Sequence, residues 1–194
     1  MQIVLTRSKT VLMNREEVLR LAENEETKKL YELLTQLRSQ LSIAFAENHK
    51  RSLPFPDILF DRWERARELN FGEGTSVYDS CVILGNVKVG HNTWIGPYTV
   101  LDGSGNLEIG DNCSISAGVQ IYSHDSVNWA TSGGVAKYDY EKTVIGSNCY
   151  IGPNTIIAKG VTIGNGSVIG ANSFVNRSFP EGSRIAGNPA QVLK

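Results

Sequence analysis

From Phe71 onward the chain places one aliphatic or aromatic residue at every sixth position. Phe71, Val77, Ile83, Val89, Ile95 and Leu101 keep this beat, and after a two-residue slip so do Ile109, Ile115 and Ile121. A longer break follows, and the series resumes with Ile145, Ile151, Ile157, Ile163, Ile169 and Val175. Four residues after most of these stands a small or β-branched one, as at Thr75, Cys81, Thr93, Cys113, Cys149 and Ser173. Six is neither a helical period nor plain alternation. It fits a short extended segment with one corner residue, three segments making a coil of about 18 residues stacked on the next at about 4.8 Å. The aliphatic residues point inward along three edges. The glycine that follows many of them, as in Ile151-Gly152, is expected to supply a corner where a side chain would strain the backbone.

Residues 1–70 carry a different pattern and are expected to form a helical N-terminal region. Asn14 followed by Glu17 resembles a capping box ahead of "EEVLRLAE". Leu30, Leu34, Leu37, Leu41 and Ala44 alternate steps of four and three, which draws one apolar stripe along a helix. "SLPFPD" must break that helix, and Asp57 can cap a third one, "ILFDRWERAREL". The repeat region, residues 71–190, reads as a stack of about five coils.

Continuing the six-step grid through the break would bury Asp139 and put Lys137 at a small slot, at considerable cost. Residues 127–144 are therefore expected to protrude as a loop, and long loops in a compact domain usually carry function. The register also decides which residues share a face. With three segments per coil, Asp102, His124, Lys159 and Arg177 fall on one face of successive coils, about 5 Å apart per rung. His91 falls on another face, and His49 at a helix end. All three cysteines occupy inward slots, where burial removes access and raises the thiol pKa. They are expected to act as small hydrophobes and not as nucleophiles.

A net charge of −1 gives no general pull toward nucleic acid or anionic lipid. Arg7 and Lys9 interrupt what would be a signal core, and no apolar run approaches the roughly 20 residues that span a bilayer. The expectation is a cytoplasmic protein with no nucleic-acid partner and no membrane span. The histidines do not share a face, so no metal site is expected.

The six-residue beat resembles the hexapeptide-repeat family, whose members form left-handed parallel β-helices and are mostly acyltransferases. The resemblance covers residues 71 to about 190. It implies a mainly β fold, here with an N-terminal α-helical extension, assembled as a homotrimer. It also implies transfer of acetyl from acetyl-CoA to a hydroxyl or amine of a small-molecule sugar or nucleotide-sugar acceptor. "YSHD" matches the place of the family's catalytic histidine, which makes His124 the general base in a ternary complex. Asp125 or Asp102 orients the ring or binds acceptor hydroxyls. "SVIGANSFVNRSFPEGSRIAGNPAQV" resembles the family's ending, where the backbone beside Ala171 and a basic residue, here Arg177, meet CoA. Lys159 joins them as a cofactor-binding residue, whereas Gln191 stands where a further basic residue is common. Two other readings of the fold are a non-catalytic β-helix that binds or scaffolds, and a zinc carbonic-anhydrase-like member, which needs three histidine ligands.

Overall fold

The structure, a computed structural model, describes residues 24–193. The chain divides into two compact units, Met1–Phe55 and Pro56–Lys194. In the first, helix α1 (Glu25–His49) starts at Asn24, whose side chain accepts the Thr27 N–H at 2.9 Å, and its first turn holds Glu25 and Glu26 at the positive end of the dipole. It ends on Lys50 in the left-handed region. Along the expected stripe Leu30 is 56 % exposed and Leu41 half-buried. The expected capping box at Asn14 lies outside the described residues.

The second unit takes in residues 56–70, so it begins ahead of the repeat and not at residue 71. Two short helices stand where one is expected: α2 (Phe55–Leu59) and α3 (Arg62–Glu68). Asp57 does not cap a helix. It is buried and accepts the Ser80 N–H at 3.0 Å, while Asp61 caps α3 by accepting from Trp63 and Glu64. Arg65 then reaches from α3 to the carbonyls of Tyr78 and Cys81. These bonds tie the helical pair to the first coil.

The repeat region is a parallel β-solenoid with three faces. The first carries β1 (Ser76–Val77), β3 (Trp94–Ile95), β5 (Ser114–Ile115), β10 (Tyr150–Ile151), β13 (Val168–Ile169) and β15 (Arg184–Gly187). Strands β2 (Val82–Val89) and β4 (Val100–Ile109) run around a corner, from the second face onto the third. The second face continues with β6 (Gln120–Ile121), β11 (Ile156–Ile157) and β14 (Phe174–Val175), the third with β9 (Thr143–Ile145) and β12 (Thr162–Ile163). Ile95, Leu101, Ile115, Ile121, Ile151 and Ile157 are wholly buried, as the repeat requires. There are about six turns and not five. After Val175 the step shortens to Phe179, which bridges Ile163, and Ile185 then pairs with Ile169. A fixed six-residue count misses that turn, which β16 (Ala190–Val192) closes in antiparallel fashion.

Two details correct the expected corner chemistry. Gly152 is not the left-handed residue: a Cβ there would sit 2.5 Å from the backbone nitrogen of Ala171 on the next turn, so glycine permits the close approach. The left-handed position two residues on belongs to Asn154, with φ of 56°. All three cysteines are buried and free. Burial pushes the Cys81 thiol up, and a hydrogen bond shared between stacked Cys113 and Cys149 pushes the former up and the latter down to about 7. Cys149 is buried like the other two, and burial by itself raises its thiol as well.

Candidate active site

The two-residue slip between Leu101 and Ile109 is where the site begins. Strand β4 pairs with β2 in register as far as Gly103 opposite Gly85, then resumes with Leu107 opposite Val87. The extra residues of β4 form a bulge at 104–106. Gly105 lies in it, and a Cβ there would come 2.2 Å from the Ser123 carbonyl oxygen. Its N–H donates to Ser123 Oγ at 2.8 Å, and that hydroxyl donates to the Asp102 carbonyl at 2.6 Å. The bulge thus clamps the middle of β4 to the segment after β6.

Asp102 is fully buried, and its carboxylate accepts five hydrogen bonds. Oδ1 receives the Ser104 N–H at 3.0 Å and the Ser104 hydroxyl at 2.6 Å. Oδ2 receives the backbone N–H of Ser123 at 3.0 Å and of His124 at 3.2 Å, and lies 2.5 Å from His124 Nδ1. Burial alone pushes the carboxyl pKa up. The donors from Ser104, Ser123 and His124 outweigh it and hold the group at about 2. An ionised carboxylate can only accept, so Nδ1 of His124 carries a proton and Nε2 is left with the lone pair. Of the two carboxylates left open by the sequence, Asp102 meets the ring. Asp125 instead accepts the Val127 N–H at 3.0 Å.

The protruding segment is more ordered than a plain loop. It leaves the solenoid after Ile121 and rejoins it at Thr143, wholly buried on the third face. It holds a short helix, α4 (Val127–Thr131), and two strands, β7 (His124–Asp125) and β8 (Asp139–Tyr140), paired antiparallel with His124 opposite Tyr140. The unbroken 127–144 loop expected from the sequence is corrected accordingly, because backbone pairing and the Asp125 side chain order it. The Tyr140 ring lies near-parallel to the His124 imidazole, centroids 5.7 Å apart, and Tyr138 does so at 6.3 Å.

Lys159 projects from the second face toward this ribbon. Its Nζ lies 3.1 Å from Glu141, 3.7 Å from Asp125 and 4.0 Å from Asp139, and the Glu141 carboxylate raises its pKa. The adjoining Gly160, with φ of 74°, leaves the room that Glu141 occupies. Three carboxylates thus surround Lys159, which the sequence reading assigns to cofactor binding. Arg177 lies elsewhere, exposed, stacked over Phe179 at 4.9 Å and donating to Gln191 Oε1 at 2.6 Å. Ala171 sits at an exposed corner after β13. Neither reaches the His124 cavity. That cavity, about 390 Å³, is walled by Tyr122, Val127, Ile156, Ala158 and Phe174, with His124, Asp125, Ser126 and Lys159 at its polar side. Sequence reasoning missed Ser104 and Ser123, whose signal is their place beside the slip and the break. It also missed Ile156 and Phe174, apolar residues at outward positions of the repeat. Among the described residues no His, Cys, Asp or Glu group is placed to hold a metal ion, and no helix is long and apolar enough to cross a membrane.

A parallel β-solenoid with a buried Asp–His pair where one coil is interrupted defines the class of protein. Two stretches of the solenoid match hexapeptide-repeat families: the model for bacterial transferase hexapeptide (six repeats) matches residues 142–177, and that for the hexapeptide repeat of succinyl-transferase matches residues 107–123. It is 28% identical over 141 residues to the bifunctional protein GlmU of Clostridium botulinum, an alignment covering 66% of this chain and 28% of that protein. The chain thus spans little more than a quarter of that relative's length. Among solved structures it resembles AntD, an N-acyltransferase from Bacillus cereus in complex with dTDP and 3-hydroxybutyryl-CoA. That likeness has a TM-score of 0.59 and 26% identity, over 64% of this chain and 70% of AntD. Galactoside acetyltransferase in complex with coenzyme A shares the fold over 94% of this chain and 90% of its own, with a TM-score of 0.62 and 24% identity.

The linkage at Asp102 generates a prediction. Its folded pKa of about 2 lies below the 3.8 of the free side chain, so the unfolded chain takes up the proton first as pH falls. The contribution is whole above about pH 4 and is lost between about pH 4 and 2. Nearly two pKa units correspond to about 2.5 kcal/mol. Asp102→Asn should lower the urea stability by about that much at pH 7, with the gap from the wild type narrowing as the pH drops from 5 to 3. A gap independent of pH would refute the ionised pair.

Proposed function

We propose that this protein is an acetyltransferase that moves acetyl from acetyl-CoA to a hydroxyl or amine of a sugar or nucleotide-sugar acceptor. The observation that carries the reading is the buried Asp102–His124 pair fronting a largely apolar cavity. Asp102 fixes the imidazole tautomer and, staying ionised, stabilises the imidazolium that forms. Nε2 takes the proton of the acceptor O–H or N–H as that atom attacks the thioester carbonyl. The tetrahedral intermediate then collapses, the C–S bond breaks, and the CoA thiolate leaves. Donor and acceptor are held together, and no cysteine takes part. The cavity's size lies within the range of small-ligand sites, and its apolar walls suit the acyl-thioester end of CoA. The CoA-bound acyltransferase AntD supports the donor class.

His124→Ala should fold normally and lose about 10²- to 10⁴-fold in kcat, the range for removing a general base, with acetyl-CoA affinity barely changed. The assay is free-thiol release from acetyl-CoA across a panel of sugars, amino sugars and nucleotide sugars. A folded variant with wild-type turnover would exclude His124 as the base.

We assign Lys159 to tethering the ribbon, and Arg177, with the backbone beside Ala171, to the polar end of CoA. A charge-assisted phosphate contact at an exposed site contributes about 1 to 2 kcal/mol. Arg177→Ala should therefore raise the KM for acetyl-CoA by about 5- to 30-fold, and added salt should shrink the difference. An unchanged KM at low salt would remove Arg177 from the donor site.

We further place the chemistry in a cytoplasmic homotrimer. Three buried free thiols fit a reducing compartment. The outward residues of the second face, Val82 and Ile156, are exposed and apolar, as are Leu30 and Leu34 of α1, and such surface is expected to be covered by other copies. Light scattering should give three times the chain mass at micromolar concentration; an active monomer would exclude the trimer.

A further inference from the structure

His124 lines the cavity and also meets the ribbon, which together with α4 gathers three large aromatic side chains. Tyr140 and Tyr138 lie near-parallel to the imidazole, and Trp129 meets Tyr138 edge-on at 5.6 Å. All three stay substantially exposed, and none lines the cavity. A segment that needed only to span a gap would gain nothing by holding three rings half in water. Together they form an aromatic ledge whose inner end is the catalytic base.

The charges beside the ledge narrow what it accepts. Asp125, Asp139 and Glu141 cluster on the ribbon around the ammonium of Lys159. The nearby Lys142 is paired with Glu108 at 2.6 Å, and Lys137 is exposed on the segment itself. This surround repels an anion and favours a neutral or protonated-amine ligand. A pyranose ring offers a face of C–H bonds that packs on an aromatic ring, with hydroxyls around its rim for carboxylate acceptors. Asp139 already accepts from Asn128 Nδ2 at 2.6 Å, which holds it at that rim.

We propose that the Trp129–Tyr138–Tyr140 ledge is the acceptor subsite and takes the apolar face of an uncharged or amine-bearing pyranose in preference to a sugar bearing a diphosphate. This rests on the acetyltransferase reading and narrows it. The ledge places the sugar beside His124, on residues that do not line the apolar cavity.

The test uses the full chain with methyl glucopyranoside, glucosamine and UDP-glucose as probes, in the wild type, Trp129→Ala, Tyr138→Ala and Trp129→Phe. Saturation-transfer NMR reads binding without turnover, and thiol release reads transfer. Saturation should reach the ring C–H protons of the two free sugars and fall at least fivefold in both alanine variants, with Trp129→Phe retaining most of it. Acceptor KM should rise by a similar factor while the KM for acetyl-CoA stays constant. Equal saturation in all variants, or UDP-glucose favoured tenfold in kcat/KM, would overturn the ledge assignment. Ledge-dependent binding without thiol release for any acceptor would uphold the ledge and sink the acetyl-transfer reading instead.

Discussion

A buried carboxylate is the constraint around which this molecule is arranged. Asp102 has no exposed surface, and an ionised carboxylate removed from water costs several kcal/mol unless its lone pairs are met. Five donors meet them, and they come from two places: Ser104 in the β4 bulge, and Ser123 and His124 after β6. Without the two-residue slip there would be no bulge to supply Ser104 and Gly105. Without the break after Ile121 the chain would turn its corner before His124 had left the face. Two irregularities in an otherwise monotonous repeat are thus one device, and the charge they share makes them interdependent.

The ribbon follows from the same need. Ile121 and Ile145 are 24 residues apart where six serve elsewhere, so the intervening chain must find hydrogen bonds away from the coil. It finds them in its own antiparallel pairing and at the solenoid wall, where the Glu141 N–H donates to the Ser123 carbonyl at 2.9 Å. Its carboxylates then cluster, and Lys159 one turn below offsets part of their repulsion. A cation that looks available to a ligand from register alone is already engaged. Arg177, farther down the same face, meets neutral Gln191 and an aromatic ring instead.

How much of this is legible in the sequence depends on whether a residue belongs to the repeat. Leu101, Ile121, Ile157 and Val175 stack as the six-step count requires, and that stacking alone puts Asp102 and His124 within reach of each other. Parallel pairing converts sequence spacing into position with almost no freedom. Where the spacing changes, the count fails for the same reason: the Phe179–Ile185 turn is lost because one step shortens. Asp57 could not be read, since a helix cap and a buried acceptor for Ser80 look alike in one dimension. Nor could the stacking of Tyr138 and Tyr140 on His124, because nothing periodic governs residues 127–142. Propensity announces neither the short α4 nor the two-residue β8.

The arrangement also explains why a solenoid suits a site of this kind. A general base is effective only if its ring is held in one orientation, and an imidazole on a surface loop turns freely about two bonds. Here a hydrogen bond from Nδ1 to a carboxylate that cannot move fixes one edge, while Tyr140, its pairing partner across the ribbon, restrains one flat face. The backbone on either side is pinned as well, by the clamp from Gly105 through Ser123 and by the return to the third face at Thr143. Apart from Tyr140, each restraint comes from a rung adjacent in space but some 20 residues away in sequence. The stacking of the buried isoleucines, which fixes Asp102 beneath the ring, and the Tyr140 contact within the ribbon together keep the base in place.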